Sequence, residues 1–100
     1  MKRTKSMIYN PTVESRELVL YATNTGDLYR GQTTAVIKNL AKKVKRGIYD
    51  KEKAIDLWYS VATTASNLYK KEFGYSFSVG DRFTAAVELE DYYKEELQEG

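Results

Sequence analysis

Residues 50–73 read DKEKAIDLWYSVATTASNLYKKEF, a long stretch with helical periodicity that contains the only tryptophan of the chain, Trp58. Its apolar residues recur at steps of three and four, which places them on one face of a helix with 3.6 residues per turn. These residues are Ala54, Leu57, Trp58, Val61, Ala65, Leu68 and Tyr69. Residues 60–66 are almost all small, so partner helices can approach closely there. We therefore predict that the stretch is the central helix of a small helical domain.

Three further helices are predicted around it, at about residues 10–23, 28–46 and 79–97. Capping residues and a proline mark the helix starts, and glycines mark the helix ends. These marker residues are Asn10, Pro11, Gly47, Asp50, Gly74 and Ser78. Residues 18–23 are rich in β-formers and form a strand in an alternative interpretation, but their caps and helical surroundings favour a helix. The last helix is predicted to turn inward Phe83, Ala86, Val87, Tyr93 and Leu97. The fold class we expect is all-α, a compact bundle of three to four helices.

Length and composition are those of an ordinary single domain, with 100 residues, 42% hydrophobic and 30% charged. We expect residues 1–100 to form one helical domain in which residues 1–7 are flexible and residues 95–100 are frayed. No run of residues approaches the roughly 18 apolar positions of a membrane span. The basic N-terminus is not followed by the apolar stretch of a secretory signal. The predicted location is therefore the cytoplasm, without a membrane partner.

The chain has no cysteine and no histidine, which excludes disulfides, thiolate chemistry, and the commonest general base and metal ligand. No spacing of the remaining residues suggests a nucleophile and its base, so we expect neither catalysis nor a cofactor. Glu88, Asp91 and Glu95 share one face of the last helix, where carboxylates can hold Mg²⁺ or transfer protons. A metal site needs ligands from a second helix as well, so a solvated acidic face is the favoured interpretation.

The net charge of +2 conceals an uneven distribution along the sequence. Residues 1–53 contain 12 Lys and Arg against 5 Asp and Glu, whereas residues 54–100 contain 4 against 9. Such an asymmetry can indicate a basic binding face, an acidic tail, or two halves that attract each other. Attraction between the halves is the simplest of these interpretations for a compact domain.

A candidate binding surface lies at the end of the second predicted helix. It consists of Lys38, Lys42, Lys43, Lys45, Arg46 and Tyr49. Clustered cations can bind nucleic-acid phosphates or an acidic protein partner. They also complement the negative end of their own helix dipole, so an ordinary solvated helix end is a third interpretation.

Nine tyrosines are unusual in 100 residues. Five of them are predicted at core or core-edge positions, where a buried ring can still send its hydroxyl to water. They are Tyr21, Tyr29, Tyr69, Tyr92 and Tyr93. Tyrosine is also favoured at protein interfaces, so part of this set can serve recognition instead.

Four segments of the chain resemble a group of small, uncharacterised bacteriophage-encoded proteins. Their shared pattern is ELxLYxxN, IKNL, GxYDxEKA and KEF, which corresponds here to residues 17–24, 36–40, 47–54 and 71–73, with Val36 preceding the IKNL run. The resemblance covers about residues 16–97 and carries no established activity. It implies a phage-encoded protein that acts by binding a host or phage macromolecule.

These observations together favour a non-enzymatic accessory protein, phage-encoded, that acts by binding a host or phage protein. The alternative is a small nucleic-acid-binding protein that uses the basic second helix. A metal-dependent enzyme built on the acidic last helix is a third and weaker hypothesis. A homo-oligomer stays open, because a small tyrosine-rich domain can bury part of its surface against a second copy.

Overall fold

A computed structural model describes the backbone of residues 13–99 and the side chains of residues 14–97. The helices are α1 (Val13–Asn24), α2 (Gly26–Leu28), α3 (Thr34–Arg46), α4 (Lys51–Phe73) and α5 (Val79–Glu99), and a π-helical turn, Tyr29–Thr33, joins α2 to α3. No strand occurs among these residues, so the all-α prediction is confirmed and the strand interpretation of residues 18–23 is wrong. The segment predicted to be flexible, residues 1–7, lies outside the described residues. Gly100, at the end of the segment predicted to fray, lies outside them too.

The connection between α3 and α4 is closed by a glycine and a cap, as the sequence predicts. Gly47 has φ 74°, a left-handed conformation that ends α3 without the steric cost of a side chain. Asp50 then caps α4, because its carboxylate accepts hydrogen bonds from the backbone N–H of Glu52 at 2.9 Å and of Lys53 at 3.4 Å. Two consecutive helices are therefore joined by a short turn with defined geometry.

The connection between α4 and α5 uses the same devices. Gly74 has φ 76° and its N–H donates to the carbonyl of Lys70, which ends α4. The Ser78 hydroxyl accepts a hydrogen bond from the N–H of Asp81 at 3.0 Å, at the start of α5. The connection is only residues 74–78, so α4 and α5 are neighbours along most of their length.

The core is centred on Trp58 of α4, whose side chain is completely buried, as predicted. Its indole stacks on the ring of Tyr93 from α5, with centroids 4.9 Å apart and planes 13° from parallel. Small residues on the facing surfaces allow the two helices to pack closely. The buried small residues are Ala54, Ala62, Ala65 and Ser66 on α4, and Ala85 and Ala86 on α5. Helix α1 packs across both α4 and α5 and buries Leu18 and Ala22.

Phe83 was predicted to turn inward, and Tyr29 and Tyr92 were predicted at core or core-edge positions, but all three are exposed. Phe83 is 38% exposed, Tyr29 41% and Tyr92 62%. Phe83 lies at the edge of the buried face of α5, where it lines a shallow surface cavity with Ile55 instead of entering the core. Tyr92 precedes Tyr93 in the helix and is rotated from it by about 100°, which turns it to solvent. The inward position predicted for Phe83 is therefore wrong, and Tyr92 lies outside the core and its edge.

The second predicted helix forms a continuous helical path that contains one wide turn. It begins at Gly26, two residues earlier than predicted, and passes through the π-helical turn into α3. At this turn the backbone N–H and the side-chain hydroxyl of Thr34 both donate hydrogen bonds to the carbonyl of Tyr29. The hydroxyl lies 2.7 Å from the carbonyl oxygen. The Thr33 side chain is buried there. None of the described helices is long and apolar enough to cross a membrane.

Glycine-to-alanine substitutions are expected to have opposite effects at two positions. Gly31 lies in the π-helical turn and an added Cβ would meet no atom within 4 Å, so Gly31→Ala should stabilise the protein by about 0.5–1 kcal/mol. Gly47 has a left-handed conformation, so Gly47→Ala should cost about 1–2 kcal/mol. Urea unfolding of both variants measures the two free energies. Changes of the same sign would contradict the backbone conformations described here.

Replacement of Trp58 tests whether α4 is the centre of the core. Trp58→Ala leaves a large cavity and should lower the free energy of unfolding by about 3–5 kcal/mol. Trp58→Phe keeps a ring against Tyr93 and removes an indole N–H that has no hydrogen-bond partner in the described part of the chain, so it should cost less. Thermal and urea unfolding followed by circular dichroism measure both. A loss below about 1 kcal/mol for Trp58→Ala would show that the core lies elsewhere.

Candidate functional site

The candidate binding surface divides into an exposed part and a packed part. Lys38, Lys42, Lys45 and Arg46 are exposed on α3 and are named here the basic stripe. At about 100° per residue these four side chains fall within an arc of roughly 100° on the helix, and their Cα atoms span about 12 Å along its axis. The helix exposes this face because its apolar residues, among them the buried Leu40, occupy the other side.

Among the described residues, no ion pair neutralises the charges of the basic stripe. Within the described part of the chain, none of these four side chains forms an ion pair, and neither does Lys43. The ion pairs found there join Arg30 to Asp27, Lys51 to Glu90 and Lys94 to Asp91. Lys45 and Arg46 also lie in the last turn of α3, where the helix dipole favours cations. These positive charges are therefore available to a partner.

Lys43 and Tyr49 belong to the packed part of the candidate surface. Lys43 is half-buried, and its backbone carbonyl accepts a hydrogen bond from the N–H of Ile48 at 2.9 Å. Tyr49 is half-buried as well, and its hydroxyl donates to Oε2 of Glu90 at 2.7 Å. Tyr49 is therefore held by the protein and is not a free contact residue of the basic stripe.

Glu90 is a buried carboxylate on α5 with an exposed fraction of only 1%. Each of its oxygens has a partner, since Lys51 donates to Oε1 at 3.0 Å and Tyr49 donates to Oε2 at 2.7 Å. A buried charge is tolerated when it is paired and hydrogen-bonded in this way. Burial raises the pKa of the Tyr49 hydroxyl well above its usual range, and the hydrogen bond to Glu90 and its negative charge raise it further. Lys51 and Glu90 also join the basic half of the sequence to the acidic half.

The burial of Glu90 was not predicted, although the spacing of residues around it in the sequence indicates a buried charge. Ala86, Glu90, Tyr93 and Leu97 follow one another at steps of four, three and four, which is the spacing of one helix face. The other three are apolar and buried, so a charged residue in register with them indicates a buried charge. Its partner Tyr49 was recognised only as a surface candidate.

The acidic residues singled out on α5 do not form a common site. Glu88 is half-buried, and removal from water raises the pKa of its carboxyl, an effect that nearby Arg16 opposes and Asp91 reinforces. Asp91 forms an ion pair with Lys94 at 3.1 Å, and Glu95 is exposed. In the part of the chain that the structure describes, no group of three or more acidic side chains is arranged to hold a metal ion.

No protein-family model matches the chain, and neither the curated proteins nor the solved structures include a significant match to it. Function is therefore inferred from the side chains described above. The resemblance to small bacteriophage proteins stays a prediction.

The buried hydrogen bond between Tyr49 and Glu90 predicts how stability depends on pH. Because the pKa of Tyr49 is raised by folding, the unfolded chain loses the phenol proton first, so the free energy of unfolding should fall as pH rises above about 10. Tyr49→Phe should make this fall shallower, and at pH 7 it should cost about 1–3 kcal/mol because one Glu90 oxygen loses its donor. Burial also raises the pKa of Tyr93 to about 12, so part of the slope should remain.

Urea unfolding between pH 7 and pH 11 measures this dependence. Tyr92→Phe is the matched control, since Tyr92 is 62% exposed and has no hydrogen bond in the described part of the chain. The control should reproduce the wild-type curve. A Tyr49→Phe curve that also coincides with wild type would show that the hydrogen bond to Glu90 contributes nothing to stability.

Proposed function

We propose that the protein is a non-enzymatic interaction protein that binds an acidic protein partner through the basic stripe of α3. The observation that carries the proposal is that Lys38, Lys42, Lys45 and Arg46 are exposed together and have no internal counter-charge among the described residues. Charges arranged in this way steer a partner of opposite sign and fix its orientation.

An exposed apolar residue beside the stripe supports a protein partner. Ile48 is 56% exposed and lies two residues after Arg46, which ends both α3 and the stripe. Protein interfaces combine apolar contacts with a charged rim, whereas the phosphate groups that bind cations offer no apolar contact to such a residue. Ile48 and the basic stripe therefore match an acidic protein surface that also carries an apolar side chain.

Nucleic-acid binding is the second candidate function, because a row of cations without internal partners also suits phosphates. Binding of single strands commonly adds aromatic rings on which bases stack. The aromatic residue nearest to the stripe in sequence is Tyr49, and its hydroxyl is held by Glu90. This arrangement favours the protein partner over the nucleic acid.

The biological setting of this interaction rests on the sequence alone. The resemblance to phage-encoded proteins supports a host or phage protein as the partner and the host cytoplasm as the location. A homo-oligomer is compatible with the proposal, since the basic stripe is on one helix and leaves other surfaces free.

Charge reversal of the basic stripe tests the proposal. The variant Lys38→Glu, Lys42→Glu, Lys45→Glu changes three exposed side chains on one face. The control variant Lys53→Glu, Lys70→Glu, Lys71→Glu makes the same change in net charge at three exposed positions of α4. The probes are a fluorescein-labelled peptide rich in Glu and Leu, its Gln-substituted counterpart, and labelled DNA and RNA strands of about 20 nucleotides. Fluorescence anisotropy at several salt concentrations measures binding.

We expect the acidic peptide to bind the wild type and the control variant, and to bind the stripe variant at least about tenfold more weakly. The Gln-substituted peptide should bind none of them. If DNA or RNA binds more tightly than the acidic peptide, and the stripe variant loses the steep salt dependence of that binding, the nucleic-acid alternative is correct and the protein partner is not. Equal weakening in both variants would show that only net charge matters and would overturn the role of the stripe.

A further inference from the structure

A second surface, on a different part of the molecule, has the opposite electrostatic character. Three aromatic residues meet where α4 turns into α5: Tyr69 at the end of α4, and Tyr75 and Phe77 in the connection. The ring centroids of Tyr69 and Phe77 are 5.0 Å apart, those of Tyr75 and Phe77 4.9 Å, and those of Tyr69 and Tyr75 6.4 Å. The planes are inclined by 65° to 80°, so the rings present faces and edges in different directions.

These rings line a cavity of about 200 Å³ that is open to solvent, and Glu14 and Glu17 of α1 complete its lining. This group of five residues is named here the aromatic–acidic cavity. Phe77 is only 5% exposed and closes the end of the core, whereas Tyr75 is 45% exposed. An aromatic ring as exposed as that of Tyr75 gains little from burial in the folded chain. It is available for contact with a ligand.

Three carboxylates lie in or near the cavity. Glu14 and Glu17 are exposed and form no ion pair within the described part of the chain, and the same holds for nearby Glu72. Tyr69 donates a long hydrogen bond of 3.4 Å to Oε2 of Glu17, and Tyr21 donates to Oε1 of Glu72 at 3.0 Å. The negative charges of Glu17 and Glu72 both raise the pKa of Tyr69, after the larger effect of desolvation. The ring faces add their own negative potential.

We propose that the aromatic–acidic cavity binds the cationic end of a lysine or arginine side chain from a basic peptide segment. The ring faces of Tyr69 and Tyr75 attract a cation through cation–π interaction. The carboxylates of Glu14 and Glu17 accept hydrogen bonds from its N–H groups. Because carboxylates are the acceptors at the rim, a cation with N–H donors fits better than a quaternary ammonium group, which has none.

This site does not depend on the function proposed for the basic stripe. The stripe selects an acidic partner, whereas the cavity selects a cation, and the two surfaces share no residue. A protein with both surfaces can hold two partners of opposite charge.

The experiment uses the full chain, labelled with ¹⁵N, and short capped peptides as probes. The peptides are Gly-Lys-Gly and Gly-Arg-Gly, with Gly-citrulline-Gly as an uncharged analogue of the arginine peptide and Gly-trimethyllysine-Gly as a cation without N–H donors. Each is titrated into the protein at low salt, and the amide signals of Tyr75, Ser76 and Phe77 are followed. The variants Tyr75→Ala and Glu17→Gln test the ring and the carboxylate, since both residues are exposed and should tolerate replacement.

Matched controls are Tyr92→Ala and Glu95→Gln, which remove an exposed ring and an exposed carboxylate on α5 outside the cavity. We expect saturable shifts at residues 75–77 with the lysine and arginine peptides. Binding should weaken at least about fivefold in Tyr75→Ala and in Glu17→Gln, and should be unchanged in the two controls.

Four results would overturn the proposal. One is the absence of shifts at residues 75–77 with either cationic peptide at millimolar concentration. A second is equal binding of the citrulline peptide, which would show that charge is not recognised. A third is stronger binding of the trimethyllysine peptide, which would show that N–H donation is not used. The last is shifts at the same amides on simple concentration of the protein, which would identify a second copy of the chain as the occupant.

Discussion

The buried carboxylate of Glu90 constrains how the helices can be arranged. A charge that is 1% exposed is unfavourable unless both of its oxygens are satisfied, and the donors come from Tyr49 and Lys51. These donors flank Asp50, the cap of α4, so the turn between α3 and α4 must lie against α5. The buried polar group therefore ties the α3–α4 turn to α5 through directional hydrogen bonds, which the apolar contacts around Trp58 do not supply.

The same turn determines what the basic stripe can present. Gly47 ends α3 and Asp50 begins α4 within a few residues, so the direction of α3 is set by the turn that Glu90 holds in place. Tyr49 is drawn inward by its hydrogen bond, while Ile48 beside it is left exposed. In this short segment Tyr49 therefore serves the packing of the helices, whereas Ile48 is left at the surface. The exposed charges are consequently held on a rigid support.

Features that depend on local interactions were predicted from the sequence, whereas features that depend on packing between helices were not. Caps and left-handed glycines act within one turn, and Gly47, Asp50 and Gly74 were identified from sequence for that reason. The pairing of Glu90 with Tyr49 joins residues 41 positions apart and depends on how the helices pack, so no local rule reveals it. Tyr92 was misplaced for a related reason, since adjacent aromatic residues compete for a single inward position. The aromatic–acidic cavity likewise forms only when α1 packs beside the α4–α5 connection.

The π-helical turn at residues 29–33 has a consequence for the register of the helix that contains it. Leu28 and Leu40 are both buried, yet in an uninterrupted α-helix residues twelve apart would be rotated by about 120°. A π-turn takes up one extra residue, which reduces the difference to about 20° and also brings Thr33 to the same side. The turn thus acts as a one-residue insertion absorbed within a helix. Deletion of a single residue there would leave a regular α-helix in which the two leucines, then eleven residues apart, still differ by only about 20° and share the buried face. A regular α-helix that kept every residue would instead turn Leu28 away from the core, so the wide turn allows this segment to carry one extra residue without losing its buried face.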